Sequence, residues 1–422
     1  MNPSAPRTAR LATASVVGTT LEYYDFAVYN TLAALVFGKL FFPSFDPLSG
    51  TLLAFSTYAV GYFSRPVGGF IFGHLGDRLG RRFVLMATLL LMGSTTMLMG
   101  LLPTYATAGT LSPVLLVLLR FVQGAALGGE WAGAVLLSVE HGKPEQRGRN
   151  GSWAQMGPSL GTLLATGAIA VLTLLITPDD FLQWGWRLPF FASAVLVIFG
   201  LWVRVGVEET PVFHQLQERV QQARAPVREA IRGHWRGLLR AGGLRLGPDV
   251  LYSLIAAFAL SYLTTVLGLS RTLALTALTV GGACNALSIP LFGSLSDRFG
   301  RRAVYALGVV MAIVWVAALF PLLNTQSPAL IVVTIASGFI LHAMMYGPQA
   351  AFITEQFPAR VRYAGSSLAY TLAGIVGGGI APAIFTALLR AFDRTLPIAL
   401  YAGAALAITG IVVALCRPTD EQ

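Results

Sequence analysis

Charge is what this chain has least of. Only 11% of its 422 residues are Asp, Glu, Lys or Arg, while 55% are hydrophobic, and a water-facing surface needs far more charge. A set of ordinary soluble domains is therefore excluded. Lysine is nearly missing: Lys39 and Lys143 are the only two among 29 basic residues. The arginines form short clusters between apolar spans and make no single basic face, so the net charge of +10 excludes nucleic acid as a partner. The two cysteines, Cys284 and Cys416, both lie in apolar spans and supply neither a disulfide framework nor a metal-ligand cluster. No metal is expected, and no cofactor beyond a coupling proton. Gly-Lys occurs at Gly38-Lys39 and Gly142-Lys143, followed by Leu and Pro where a phosphate loop needs Ser or Thr, and no His-Glu-x-x-His is present. The chain is expected not to be an enzyme.

What fills the sequence is long apolar stretches bounded by charge, Pro or Gly. They run over 13–38, 52–74, 83–102, 112–139, 151–176 and 187–205, then over 246–268, 273–294, 303–323, 328–354, 363–389 and 396–416. Each is close to the ~20 residues a membrane helix takes, and an open backbone finds no partners in lipid, so these spans are expected to be helices. Arg7 and Arg10 ahead of the first run resemble the start of a signal peptide. That run also carries Glu22 and Asp25, which makes it the first membrane helix.

Orientation follows from Lys and Arg on alternate sides of these spans. One side collects 22, among them Arg78, Arg81, Arg298, Arg301 and Arg245, and the other collects 5, which places both termini and the middle loop in the cytoplasm. The polar stretch from Val207 to Arg245, with Pro211 and Pro226, reads as one or two surface helices joining two halves. The expected domains are thus 1–205, a linker 206–245, and 246–422. The halves repeat each other. Phe72 to Arg82 reads FGHLGDRLGRR and Phe292 to Arg302 reads FGSLSDRFGRR, eight identities in eleven at an offset of 220. In such a turn Asp77 and Asp297 can accept from helix N-terminal amides, and the neighbouring arginines can pair with Glu140 and Glu355.

Two six-helix halves joined by a loop, each with this turn after its second helix, resemble the major facilitator superfamily. The resemblance implies an all-α membrane protein of twelve transmembrane helices in two pseudo-symmetric bundles. It also implies that Asp77, Arg78, Arg81, Asp297, Arg298 and Arg301 form a cytoplasmic latch favouring the outward-open state. Several stretches of the first half are similar to the metabolite:proton symporter family, whose members carry shikimate, alpha-ketoglutarate, citrate, or proline and betaine. These are Glu22-Tyr23-Tyr24-Asp25-Phe26, Arg65-Pro66-Val67-Gly68-Gly69, Arg120-Phe121-Val122-Gln123-Gly124, Gly128-Gly129-Glu130-Trp131, Trp184 to Phe190, and Glu209 to Phe213. Tyr23 departs from the family's usual Trp. Gly157-Pro158 with Gly161 is similar instead to part of the pattern of proton-coupled antiporters.

Glu22, Asp25, Glu130 and Asp249 are the acids inside the spans, and a buried charge costs several kcal/mol unless paired, which marks such groups as functional candidates. At about 100° per residue, Glu22 and Asp25 share one face of the first helix, and Arg120, Gln123 and Glu130 fall within an arc of roughly 80° on the fourth. Asp25 is the first candidate for the proton site, with Glu22 and Glu130 behind it and Arg120 as the cation that pairs with it in one state. A permanent Asp25–Arg120 pair holding two helices together is the alternative. Arg65 is the candidate anion contact, with Tyr62 and Tyr58 one and two turns before it, unless it snorkels to lipid phosphate. Arg187 is a candidate at the outer side or an interfacial anchor. Trp131, Gln155 and Ser159 can face the same cavity, with Tyr252, Asn285, Tyr346, Gln349 and Tyr370 as its opposite wall, and His342 reads as a packed, hydrogen-bonded histidine.

The expected function is proton-coupled symport of a small carboxylate or zwitterion by alternating access. The expected form is a monomer in the lipid bilayer of a plasma (inner) membrane. A proton-coupled antiporter and an uncoupled facilitator are the competing readings.

Overall fold

The computed structural model describes residues 5–79, 81–128, 144–205, 226–358 and 361–416. Among them are twelve long helices, six in each half. In the first half they are α1 (Ala5–Leu32, continued through a π-helical turn Ala33–Phe37 into Gly38–Phe41), α2 (Pro47–Phe63 and Arg65–Leu79), α3 (Arg81–Leu101), α4 (Leu111–Leu127), α5 (Arg147–Leu175) and α6 (Leu188–Val205). In the second half they are α7 (Trp235–Val266), α8 (Arg271–Phe299), α9 (Arg301–Leu323), α10 (Pro328–Thr354), α11 (Arg362–Gly374, a π-helical turn Ile375–Ile380, then Ala381–Phe392) and α12 (Leu396–Leu415). A short helix, Pro226–Gly233, precedes α7. The chain is a multi-pass membrane protein, and its outer face is apolar: Phe70, Leu174, Leu287 and Ile198 are between 68% and 82% exposed, as lipid-facing side chains are.

Local chemistry fixes where helices start and stop. Asp46 accepts the Ser49 amide at 3.1 Å with Pro47 in the first turn, and Ser270 accepts the Leu273 amide at 3.2 Å, so α2 and α8 each begin on a side-chain cap. Gly300 has φ +87°, in the region that favours glycine, and lets the chain turn from α8 straight into α9. α2 breaks at Ser64–Arg65, just before Pro66, which has no N–H to give the ladder.

The largest difference from the sequence reading is at α7, which starts at Trp235 and not at 246. Arg236, Arg240, Arg245 and three glycines interrupt the apolar run. The helix passes through them because Arg245 is neutralised one turn on by Asp249, and because Gly243 lets Val412 of α12 approach. The Gly247 amide also bonds to Thr409 at 2.9 Å.

The halves meet along four helix pairs, one of them α5 against α10, where Gln155 donates to the Tyr346 carbonyl at 3.5 Å. α5 lies against α8 over its length, from Gly148 beside Gly293 to Gly167 beside Thr279. α2 lies against α11, where Gly378 and Gly379 leave room for the ring of Tyr62. α1 meets α7, with Asn30 donating to the Ala256 carbonyl at 3.4 Å. π-helical turns interrupt α1, α7 and α11, all helices of this seam.

Candidate functional site

Between the halves lies a small cavity. α1 contributes Tyr23 and Asn30, α2 Tyr58 and Tyr62, α7 Arg245, Asp249 and Tyr252, α10 His342 and Tyr346, and α11 Tyr370. Phenol hydroxyls dominate the wall. Tyr58 and Tyr62 hydroxyls are 3.2 Å apart, Tyr252 bonds to Thr162 across the seam at 2.5 Å, and Tyr23 meets Tyr370 at 3.5 Å. His342 stacks on Tyr346, centroids 4.8 Å apart, and its Nδ1 lies 3.0 Å from the Asn285 amide, which also receives the Ser159 hydroxyl.

Five sequence candidates, Tyr58, Tyr62, Tyr252, Tyr346 and Tyr370, thus line one space. Gln155 is buried beside it and donates to the Tyr346 carbonyl at 3.5 Å. Three others are elsewhere, Arg65 among them: it lies over the Tyr62 ring and does not line this cavity. Arg187 donates to the carbonyls of Gly100 and Leu102 at 2.6 and 2.7 Å, so it is spent on the C-terminal end of α3, where free carbonyls need a donor. Gln349 faces the interior of the second bundle and donates to the Tyr305 hydroxyl at 3.2 Å, because its turn of α10 packs on α9 and α7 and not on the seam. Glu130, Trp131 and Glu140 lie outside the described residues, as do the side chains of Glu22, Asp77, Arg78 and Arg81.

Sequence reasoning missed Arg245, and it marked Asp249 only as one of four acids inside the spans. Arg245, counted there as a charge of the cytoplasmic side, is 4% exposed, with Nε 2.5 Å from Asp249 Oδ2 and Nη1 2.7 Å from the Tyr370 carbonyl. Its guanidinium carbon sits 3.0 Å from the centroid of the Tyr370 ring. Opposite charges at i and i+4 were the available signal.

The first-half charges take another arrangement. Asp25, 3% exposed, accepts from Thr96 at 2.9 Å and from Ser193 at 2.5 Å, and no cation lies within ion-pair distance among the described residues. Arg120 is fully buried and donates to Gln123, whose own amide donates to Thr96 at 2.6 Å. Arg120 lies over the rings of Phe26, Tyr29 and Tyr58 at 4.0 to 4.8 Å, and Arg65 lies over Tyr62 and Phe26 at 3.9 and 4.9 Å. Nε and Nη2 of both arginines have no hydrogen-bond partner among the described residues. Arg65 is 6% exposed and lies inside the protein, where a residue snorkelling to lipid would not be. A direct Asp25–Arg120 pair is not formed, because Gln123 and Thr96 stand between the two.

At the arginine-rich end, Asp297 of α8 accepts the Gly148 and Arg149 amides of α5, both at 2.8 Å, and so caps a helix of the other half. Arg301 joins it to Glu355, at 3.4 and 3.1 Å. Burial pushes the Glu355 carboxyl up, and Arg301 draws it back. Arg298 stands apart over Phe299, 5.3 Å away. Gly157 to Gly161 spells Gly-x-Ser-x-Gly, yet it lies in mid-helix, where no strand-to-helix elbow exposes Ser159 as a nucleophile.

The family profile described as Sugar (and other) transporter matches residues 11–241, and that of the Major Facilitator Superfamily matches 249–422. The chain is 43% identical over 392 residues to the shikimate transporter of Escherichia coli (strain K12), covering 92% of this chain and 90% of that one. It is 38% identical to an inner membrane metabolite transport protein of the same organism, covering 98% and 95%, and 33% identical to its proline/betaine transporter, covering 87% and 75%. Among solved structures, a D-xylose-proton symporter superposes with a TM-score of 0.72 at 19% identity over 96% of this chain and 95% of that one. A partially occluded inward-open form of the xylose transporter of E. coli gives 0.74 at 17% identity over 98% and 99%. A likeness at such identity carries the fold alone, but the sequence matches carry more: with its two six-helix halves about a central polar cavity, the chain belongs to the major facilitator superfamily and is a membrane transporter, not an enzyme.

Proposed function

We propose that this transporter is a proton-coupled symporter that imports a small organic acid or zwitterion across the plasma (inner) membrane by alternating access, as a monomer with both termini cytoplasmic. The halves 1–205 and 246–422 would rock about the cavity while 206–245 joins them. The observation that carries the reading is Asp25, a carboxyl group buried away from the cavity, held by hydroxyls and tied to Arg120 only through Thr96 and Gln123. A carrier of neutral solutes without coupling has no need of such a group. The substrate class rests on two supports: the shikimate and proline/betaine transporters it resembles carry small metabolites bearing a carboxylate, and the cavity joins an arginine to a wall of tyrosine hydroxyls.

The test is uptake of labelled shikimate, alpha-ketoglutarate and glycine betaine into proteoliposomes, with and without an inward proton gradient. Accumulation of one of them only with the gradient is the expected result. Gradient-independent equilibration would make the protein a facilitator, and accumulation only with the gradient reversed would make it an antiporter.

A further inference from the structure

Arg245 and Asp249 take no part in the Asp25–Arg120 chain, yet they are the two charged groups in the described cavity wall. Asp249 is 8% exposed, and Oδ2 is its contact with the guanidinium. The groups facing the Arg245–Asp249 pair come from five other helices: Tyr23 of α1, Arg65 of α2, Tyr305 of α9, Tyr346 of α10 and Tyr370 of α11. The only cation besides Arg245 in this set is Arg65, and Asp249 is the only acid.

A carboxylate entering this cavity finds its strongest partner, the Arg245 guanidinium, already occupied by an acid of like charge. Two carboxylates on one buried guanidinium repel each other, and the repulsion is relieved when one of them is protonated. We propose that Arg245 is the carboxylate-binding residue of the cavity, and that Asp249 takes up one proton from water as the substrate carboxylate replaces it on the guanidinium. The inference rests on the symport reading above and names the group that reads the substrate. No covalent bond between heavy atoms changes. The Arg245–Asp249 pair is neutral before exchange, and the assembly of arginine, bound carboxylate and protonated aspartic acid is neutral after it. The site therefore never holds an uncompensated charge in the membrane interior, the costly alternative. The same guanidinium holds the Tyr370 carbonyl and ring, so the exchange acts directly on α11, a helix of the seam between the halves.

The experiment is titration of the purified full chain with shikimate at pH 6, 7 and 8, counting protons taken up on binding with an indicator dye in weak buffer. If shikimate does not bind, each acid that the proteoliposomes accumulate is used in turn. Wild-type protein is expected to take up about one proton per carboxylate, with affinity falling by up to about tenfold per pH unit at the alkaline end. Asp249→Asn should bind with no proton uptake and no pH slope. Arg245→Gln should weaken binding a hundredfold or more, and Arg245→Lys should recover part of it. The wild-type count decides the matter even where Asp249→Asn fails to fold: binding without proton uptake at pH 7, or uptake unchanged in a folded Asp249→Asn, overturns the proposal. Gradient-driven accumulation persisting beside either result would leave the symport reading standing without this site. Absence of gradient-driven accumulation of every acid would sink the symport reading and this site with it.

Discussion

Asp25 and Arg120 are joined without touching. Arg120 donates to the Gln123 carbonyl, the Gln123 amide donates to Thr96, and Thr96 donates to Asp25, each hydrogen bond pointing from the cation toward the anion. Such a chain polarises along its length and conveys part of the attraction of an ion pair across four side chains. A small displacement of α4 against α3 would break it, leaving a carboxylate in the membrane interior with hydroxyl partners alone.

Asp25→Asn is therefore expected to abolish gradient-driven accumulation while retaining exchange of substrate across the membrane, and Thr96→Val to lower accumulation about tenfold, roughly what the loss of ~1.4 kcal/mol of coupling produces. Arg120→Ala should abolish accumulation. Arg120→Lys should not restore it, because an ammonium reproduces neither the stacking on three rings nor the planar donation to Gln123. Paired uptake and counterflow assays on the same vesicles separate the outcomes. Full proton-driven accumulation by Asp25→Asn would remove that residue from the coupling.

The α2–α4 contact leads to a stability prediction. A methyl group on Gly124 would overlap the Gly61 carbonyl and the Ser64 hydroxyl, and one on Gly128 would overlap the Arg65 carbonyl, so neither clash can be relieved by a side chain alone. Gly124→Ala and Gly128→Ala should each cost about 1–3 kcal/mol, as overpacking does. At Gly167 the nearest atom to an added methyl is the Thr279 methyl at 3.8 Å, an ordinary contact. Gly167→Ala should therefore leave the unfolding temperature unchanged or slightly raised. Thermal unfolding of the three variants in one detergent gives the ranking, and equal losses at all three would refute it.

The architecture was legible because its signals are local. Apolar run length, the repeated FG-x-L-x-DR-x-GRR turn and the glycine that such a turn needs at Gly300 can each be read over about a dozen residues. Arg245 shows where that reading stops. An arginine ten residues into an interrupted apolar run looks like a topology charge, and nothing local says that α12 will pack on the intervening glycines and carry the residue into the interior. Arg187 and Gln349 fail in the opposite sense. Both sit on seemingly suitable helices, but which way a side chain turns depends on neighbours from α3 and α9 that lie far off in sequence.

The cap at the start of α2 gives a pH dependence. Hydrogen bonds from Ser49 hold the Asp46 carboxyl below its ordinary value of 3.8, with Arg390 adding a little at 3.8 Å. A depressed acid contributes stability that is fully present above the unfolded value and is lost as pH falls through the folded one. Protection of the Ser49 amide from hydrogen exchange should accordingly be constant from pH 5 upward and drop below pH 4. Asp46→Ala should lack that protection at every pH. Loss of protection already between pH 5 and 7 would mean that another group controls this turn.

Asp297 and the start of α5 supply the remaining prediction, because one carboxylate there joins the two halves. It caps Gly148 and Arg149 and holds Arg301, which reaches on to Glu355. Asp297→Ala removes a helix cap worth about 0.5–2 kcal/mol together with this tether. In the proposed alternating access, opening the arginine-rich end would break the same contacts, so the loss would fall on the closed form alone. The ratio of open to closed forms should rise by about two- to thirtyfold. Spin labels at the exposed positions 145 and 299, on opposite sides of the α5–α8 seam, should report a longer and broader distance distribution in Asp297→Ala than in wild type. Asp297→Asn, which keeps an acceptor for one amide and loses the charge on Arg301, should fall between them. Identical distributions in all three proteins would show that the close packing of α5 on α8 holds this end shut without the carboxylate.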